Sequence, residues 1–171
     1  IAAITRFVNK MGYDKLQDLK LAITRDMEAS ESSQYVRVEE GDDILTVSKK
    51  VLQKNIETIE DIGKIIHEDD LEEAFRIIRE ARRVIFTGVG GSASVAQDAY
   101  HKFMRIGMMV ELITDVHTQA VVSSVGNEKD AIIVVSNEGA NTELNAALKV
   151  AKENHMKIIA ITQFSQSPLT K

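Results

Sequence analysis

A glycine- and serine-rich turn holds the residues of this chain whose types and spacing best suit chemistry. An apolar run from Val84 to Phe86 leads into the sequence GVGGSAS, and a helical pattern follows at once. The first amide N–H groups of that helix have no partner within it, and the helix dipole favours an anion there. Glycines let the backbone approach a ligand, and serines add hydroxyl donors. The turn therefore predicts a phosphate-binding site made by Gly88, Gly90, Gly91, Ser92 and Ser94.

Two other interpretations of this turn stay open on the sequence. Gly88, Gly90 and Ala93 follow the spacing of the dinucleotide-binding fingerprint, in which alanine is allowed at the third position. Asp115, after the next strand, would then be the acidic ligand of a ribose. A tight strand-to-helix connection that binds nothing has a similar pattern. Of the three interpretations, the sequence favours the phosphate-binding turn.

Composition restricts the class of protein. The 171 residues are 44% hydrophobic and 27% charged, as in a soluble globular domain with at most a helical appendage. There is no apolar run of membrane-spanning length, no signal-peptide pattern and no cysteine, so a cytoplasmic protein without disulfides is expected. The chain starts without methionine, so a fragment of a longer protein is expected. No metal and no cofactor is predicted.

From Arg83 onward predicted strands and helices alternate, and they must position the glycine turn. Helices are predicted between four strands, and the runs 131–135 and 158–161 are apolar at consecutive positions, which is typical of strands buried on both faces. The predicted fold class is α/β, a three-layer parallel sheet with helices on both faces and its ligand at the carboxyl ends of the strands. The predicted strands are 84–87, 109–113, 131–136 and 157–162, and the predicted helices are 92–106, 116–125 and 142–154.

Helical patterns also precede the first strand. A helix over 44–66, capped by Asp42 or Asp43, has an apolar stripe that either forms a dimer interface or packs on its own domain. A second helix over 70–82 is predicted to turn Leu71, Ala74, Phe75, Ile78 and Ala81 inward. Residues 29–43 are acidic and serine-rich, which predicts a linker. Residues 1–28 carry five basic groups against four acidic ones, so only they suit a polyanion.

Several motifs in order now resemble a known family. GVGGSASVAQD with HKFMRIG resembles the first half of a sugar isomerase (SIS) domain, and IIVVSNEGANTEL resembles its second strand, loop and helix. IIAITQFSQSPL is similar to the strand and turn that follow. AAITRFVNKMGYDKLQDLK, before the linker, is similar to the end of the helix-turn-helix domain of RpiR-type transcriptional regulators. The whole order resembles that family, with a flavodoxin-like SIS domain.

The resemblance implies a bacterial regulator that senses a phosphorylated sugar or amino sugar and binds operator DNA as a homodimer or homotetramer. Its implied domains are the end of a helix-turn-helix unit at 1–28, a linker at 29–43 and a C-terminally incomplete SIS domain at 44–171. As implied contacts to the sugar phosphate, it gives Gly90, Gly91, Ser92, Ser94, Ser136, Asn137, Glu138, Asn141, Thr142 and His117. The implied DNA-facing residues are Thr5, Arg6, Asn9 and Lys10, although this fragment of the unit is not expected to bind DNA specifically.

The second loop departs from the family pattern. The family reads Ser-x-Ser-Gly-x-Thr/Ser where this chain has Ser136-Asn137-Glu138-Gly139-Ala140-Asn141, so a carboxylate replaces a hydroxyl. An ionised glutamate close to a phosphate is repulsive. Glu138 either turns outward while Thr142 supplies the hydroxyl, or selects a cationic or unphosphorylated amino sugar, or marks a degenerate site in a domain that only oligomerises.

An SIS-type sugar-phosphate isomerase is the enzymatic alternative. Such an isomerase needs a base beside the substrate carbons, and Glu138, His101, His117 and Glu143 are available. Their spacing marks no acid–base pair. The helix-turn-helix resemblance favours a regulator, so no catalytic residue is predicted.

Overall fold

The computed structural model describes residues 6–8, 10–13, 16, 19, 20, 37–163 and 167–170. The chain divides into two compact units, Ile1–His67 and Glu68–Lys171. The domain boundary predicted after residue 28 lies outside the described residues, and the one predicted after residue 43 falls at a helix N-cap. The predicted domain limits stay predictions.

In the first unit, α1 spans Ile44–Ile65. Asp43 caps it by accepting a hydrogen bond from the Thr46 N–H at 2.8 Å, which settles the choice between Asp42 and Asp43. Asp42 instead accepts from the Glu39 N–H and binds Lys50 Nζ at 2.7 Å. Earlier in this unit Gly12 has φ +86°, as expected for the glycine that ends a helix.

The second unit alternates helices and strands. Its order is α2 (Glu68–Glu80), β1 (Arg83–Gly88), α3 (Gly91–Arg105), β2 (Val110–Ile113), α4 (Val116–Val125), β3 (Asp130–Val135), α5 (Thr142–Glu153) and β4 (Lys157–Ile161). The strands pair in parallel in the order β2-β1-β3-β4. The α/β fold with a parallel sheet is therefore confirmed.

Both faces of the sheet are covered by helices, because alternate side chains of a strand point to opposite faces. On one face Ile85 and Ile132 pack with Leu144 and Leu148 of α5. On the other, Phe86 packs with Phe103 of α3, the two ring centroids 5.2 Å apart. The three-layer prediction is confirmed.

Two predictions of burial are wrong. β3 is buried throughout, but β4 lies at the edge of the described sheet, and Ile161 is 54% exposed. In the described sheet this strand has no neighbour on one side, so its apolar run is not enclosed. In α2, Leu71 and Phe75 are exposed, whereas Ile77, Ile78 and Ala81 pack on the sheet. The helix is rotated from the predicted orientation because Ile77 belongs to its inner face.

Candidate functional site

The glycine turn joins β1 to α3 with very little space between them. A Cβ atom added to Gly88 would lie 2.8 Å from the backbone oxygen of Ser92 and 3.1 Å from that of Val135. Gly90 has φ +61°, in the left-handed region that favours glycine. The helix therefore starts directly above the ends of β1 and β3, as a ligand-binding turn requires.

The start of α3 differs from the starts of the two following helices. Gly90 offers α3 no side-chain cap, whereas Asp115 caps α4 and Asn141 caps α5. The first N–H groups of α3 thus receive no acceptor from the capping side chain, and an anion can bind there. At the start of α5 the corresponding N–H group already has an acceptor in the chain, because the Leu144 N–H donates to Asn141 Oδ1 at 2.8 Å.

The second loop runs from Ser136 to Asn141 between β3 and α5, and its backbone is hydrogen-bonded to the last residue of β4 and to the segment after it. The Ser136 N–H donates to the Ile161 oxygen at 3.0 Å, and the Gln163 N–H donates to the Asn137 oxygen at 3.0 Å. The loop is therefore fixed beside the glycine turn, at the carboxyl end of the sheet.

A pocket of about 360 Å³ lies between the two loops. Its volume falls in the ~300–1,000 Å³ range of small-molecule sites. The Ser92 and Ser136 hydroxyls, two amides and one carboxylate give the pocket wall both donors and acceptors. The lining residues are Val89, Ser92, Val135, Ser136, Asn137, Glu138, Ala140, Asn141 and Leu144.

The structure brings together part of the predicted set. Ser92, Ser136, Asn137, Glu138 and Asn141 line this pocket, although they lie up to 49 positions apart in the sequence. The other predicted contacts are not among the residues that line this pocket. These are Gly90, Gly91, Ser94, Thr142 and His117.

Glu138 is an exposed residue that nevertheless forms part of the pocket wall. Thr142, the residue predicted to replace the missing hydroxyl, is the first residue of α5 and is not among the lining residues. The carboxylate therefore belongs to the surface that a ligand meets.

His117 lies in the first turn of α4 and is exposed. The neighbouring Asp115 accepts hydrogen bonds from the N–H and the hydroxyl of Thr118, both at 2.8 Å. These bonds hold the pKa of Asp115 below its ordinary value. Because this carboxylate caps α4, the structure gives Asp115 a structural task in place of the ribose contact considered above.

A buried polar cluster behind the glycine turn was not predicted. Thr87, the residue before Gly88, donates to the Ile113 oxygen at 2.7 Å, and Gln119 Nε2 donates to Thr87 Oγ1 at 2.6 Å. The cluster ties the ends of β1 and β2 to α4, and thereby fixes the base of the turn. Within the described residues, Gln119 Oε1 has no hydrogen-bond partner. The sequence signal for this cluster was Thr87, a polar residue directly after the apolar run from Val84 to Phe86.

Gly139 is the residue of the second loop that packs against the turn at 167–170. It has φ +62°, and an added Cβ would collide with Ser167 Oγ and lie 2.8 Å from Ser167 Cβ. The Leu169 N–H also donates to the Gly139 oxygen at 3.1 Å. The turn at 167–170 therefore packs against the second loop and requires a glycine there.

Replacing Gly139 with alanine is expected to lower the free energy of unfolding by about 2 kcal/mol, through the left-handed backbone and the clash with Ser167. Urea unfolding measures the change. The control is Gly63→Ala in α1, where nothing lies within 4 Å of the added Cβ and a gain of about 0.5–1 kcal/mol is expected. Equal stability of Gly139→Ala and the unsubstituted chain would contradict the prediction.

Of the predicted DNA-facing residues, Thr5 and Asn9 lie outside the described residues, and Arg6 and Lys10 are exposed residues of a helical segment. In the part of the chain that the structure describes, no group of acidic and histidine side chains is arranged to hold a metal ion. No described helix is both long enough and apolar enough to cross a membrane.

Comparison with known proteins identifies the family. The SIS domain family matches residues 77–171. An HTH-type transcriptional regulator of Clostridium perfringens is 35% identical over 172 aligned positions, which cover 99% of this chain and 62% of that protein. The chain thus spans about three fifths of that relative.

Two solved structures are similar over much of the chain. The sugar isomerase domain of an RpiR transcription factor from Sphaerobacter thermophilus is 27% identical with a TM-score of 0.68, and the match covers 72% of this chain and 69% of that one. The Vibrio vulnificus NanR protein complexed with ManNAc-6P has a TM-score of 0.71 at 23% identity, over 98% of this chain and 58% of that one, and shares the fold. The predicted resemblance is confirmed: the chain belongs to the SIS domain family, among relatives named as HTH-type transcriptional regulators.

Proposed function

We propose that this chain is the effector-sensing part of a bacterial transcriptional regulator that binds a phosphorylated sugar or amino sugar. The observation that carries the proposal is the pocket between the glycine turn and the second loop, with the uncapped start of α3 at its edge. A phosphate fits the helix start, where backbone N–H groups and the Ser92 hydroxyl donate. The name of the NanR complex, with its sugar phosphate, supports this class of effector.

Glu138 adds a carboxylate to the pocket wall, opposite in charge to the helix start that suits a phosphate. A carboxylate accepts hydrogen bonds from sugar hydroxyls or an amino group, but repels a phosphate placed next to it. We therefore place the phosphate at the Ser92 side of the pocket and the sugar hydroxyls towards Glu138. The same pocket then binds both ends of one effector.

A thermal-shift titration tests the proposal. The panel consists of hexose, pentose and N-acylated amino-sugar phosphates, each beside its dephosphorylated form. A ligand that binds only the native state raises stability by about 2.7 kcal/mol at a hundred times Kd. We expect a rise in Tm with the phosphorylated member of one pair. A rise only with the unphosphorylated member would make Glu138 the selector of a different ligand class, and no rise with any sugar would leave an oligomerisation module.

Glu138→Ser, which restores the hydroxyl of the family pattern, separates these cases. If the phosphate lies near Ser92 as proposed, the variant binds the same sugar phosphate with a changed preference for the sugar. If Glu138 instead prevents phosphate binding, phosphorylated sugars would raise the Tm of the variant only. Glu143→Ser is the control, because Glu143 is exposed and is not among the lining residues.

An isomerase is the second candidate, and the carboxylate in the pocket wall favours it because aldose–ketose isomerisation needs such a base. The names of the relatives favour a regulator, and we propose that the chain is not an enzyme. Incubation with each binding sugar phosphate, followed by carbonyl-specific detection of the isomer, decides between them. Isomer formation that is lost in Glu138→Gln would establish the enzyme.

The remaining parts of the proposal concern the whole protein. A helix-turn-helix unit containing residues 1–28 binds operator DNA of sugar-metabolism genes in the cytoplasm, and two or four copies associate. The relatives named as HTH-type regulators support the DNA-binding role. Gel-shift titration of a longer chain that contains the complete unit, with and without the effector, tests it.

A further inference from the structure

Three buried polar side chains lie behind the glycine turn, in a layer that is otherwise apolar. Thr87 of β1 is 2% exposed, and Gln119 and Ser123 of α4 are 5% and 2% exposed. Gln119 and Ser123 are four positions apart on the helix, so they lie on the same face of it. A polar group is costly to bury without a hydrogen-bond partner, so each of these side chains requires one.

Gln119 uses only one end of its amide within the described chain. Its Nε2 donates to Thr87 Oγ1 at 2.6 Å and to the Ile113 oxygen at 3.3 Å. Its Oε1 is buried and has no hydrogen-bond partner among the described residues. Leaving a buried acceptor unpaired costs its full desolvation penalty, so a hydrogen-bond donor at this oxygen would stabilise the fold.

A cavity of about 10 Å³ lies between the sheet and the helices α4 and α5. Thr87, Gln119 and Ser123 line it together with apolar side chains of β1, β2, β3 and both helices. A buried water needs a space of roughly 10–15 Å³ and about two to four polar partners. The cavity therefore admits a single water molecule and nothing larger.

We infer that one buried water occupies this cavity and holds Gln119 in the orientation that supports the glycine turn. The water donates a hydrogen bond to Gln119 Oε1 and accepts one from the Ser123 hydroxyl, so it has two polar partners. With the amide reversed, Gln119 Oε1 would face the Ile113 oxygen, and two acceptors without a proton between them repel each other. The water thus fixes which end of the amide meets Thr87.

The orientation of Gln119 matters to the turn because Thr87 directly precedes Gly88. A Cβ atom added to Gly88 would lie 2.8 Å from the Ser92 backbone oxygen, so the end of β1 and the first turn of α3 are in close contact. A displaced Thr87 would therefore move the N–H groups at the start of α3. Leu144 lines both this cavity and the effector pocket, so the water lies directly behind the pocket wall.

Gln119 is on this argument a positioning residue of the phosphate turn, which it reaches through Thr87. The effect on the backbone of the turn follows from the contacts within the chain. The effect on phosphate affinity rests also on the function proposed above, so the two effects are tested separately.

A high-resolution crystal structure of the 171-residue chain tests the water. We expect density for one water within about 3 Å of Gln119 Oε1. Ser123→Ala removes the second partner and should lower the occupancy of this water. The control is Ser124→Ala, because Ser124 is the next residue of α4 but is exposed and donates to the Val121 oxygen. A cavity without density in the unsubstituted chain would overturn the inference.

Gln119→Met tests the effect on the turn in the absence of any ligand. Methionine is similar in length but cannot donate to Thr87 Oγ1. The backbone amide NMR signals of residues 88–92 should therefore shift. The control is Thr118→Val, which removes an exposed side-chain hydrogen bond from the same helix and should leave those signals in place. Unchanged signals in Gln119→Met would contradict the positioning role.

Titration with inorganic phosphate shows whether Gln119 acts on the site through Thr87. Phosphate should shift the amide signals of Gly91 and Ser92, and Gln119→Met should raise the phosphate Kd about tenfold, as expected for one lost hydrogen bond behind the site. Thr87→Val should have a similar effect. The double variant should bind no more weakly than either single variant, because both substitutions remove the same link.

The outcomes separate this inference from the proposed function. If phosphate binds the unsubstituted chain and Gln119→Met equally well, or if the two losses add in the double variant, Gln119 does not act through Thr87 and the inference is overturned. If phosphate does not bind the unsubstituted chain, the proposed function fails. The water density and the ligand-free signals of residues 88–92 then still decide the inference.

Discussion

Replacing Asp130 with alanine is expected to lower the free energy of unfolding by about 3 kcal/mol. Asp130 is fully buried at the start of β3, and its carboxylate binds Arg82 Nη2 at 2.8 Å and Arg83 Nη2 at 3.2 Å. Without it, the largely buried Arg83 guanidinium loses its buried counter-charge. We expect the low end of the range for breaking a buried pair, because Arg82 is 55% exposed and can turn to water.

The ion pairs of Asp130 also predict how the free energy of unfolding changes with pH. Burial raises the pKa of Asp130, but hydrogen bonds from Arg83, Arg82 and the Asn127 N–H outweigh it, so the net pKa lies below the ordinary value. A lowered pKa means that the unfolded chain takes up protons first as the pH falls. The stabilisation is therefore complete above the unfolded pKa of about 3.9, and is lost as the pH falls through the folded pKa.

Urea unfolding between pH 7 and pH 3 measures both effects. The control is Asp98→Ala, which removes an exposed ion pair with Lys102 and should cost at most about 0.5 kcal/mol. Asp130→Ala should also flatten the loss of stability at acid pH. Equal costs for the two variants would show that the Asp130 cluster adds nothing beyond a surface pair.

Introducing a carboxylate at Ser92 is expected to abolish sugar-phosphate binding while leaving the fold intact. Ser92 lines the pocket at the start of α3, where the proposed phosphate lies. Two like unit charges about 4 Å apart repel by about 4 kcal/mol near a protein surface, which is more than a hundredfold in affinity. An acid in the first turn of a helix is favourable, so Ser92→Asp should not be destabilised.

The matched control for this variant is Ser94→Asp. Ser94 is also in the first turn of α3, but it is exposed and does not line the pocket. Thermal-shift and calorimetric titration with the sugar phosphate found for the unsubstituted chain should show a loss for Ser92→Asp and a much smaller change for Ser94→Asp. Equal losses would mean that the net charge of the α3 start, rather than contact with Ser92, controls binding.

The sequence alone determined the alternation of elements and the two loops that meet at the pocket. Strand limits from the apolar runs agree with the structure within one residue, and the glycine turn lies where it was predicted. These features are local: an apolar run, a glycine at positive φ and a capping side chain act on their neighbours in the chain.

Tertiary structure decided what depends on distant partners. The run 158–161 looks like that of β3, yet β4 is partly exposed because strand order placed it at the edge. The pocket wall is formed by residues that are far apart in the sequence, so the sequence could not show which of the predicted residues line it. The hydrogen bond from Gln119 to Thr87 beneath the turn likewise depends on how α4 packs against β1. That no residue of α1 is buried could not be predicted either, because periodicity marks an apolar face but not whether anything covers it.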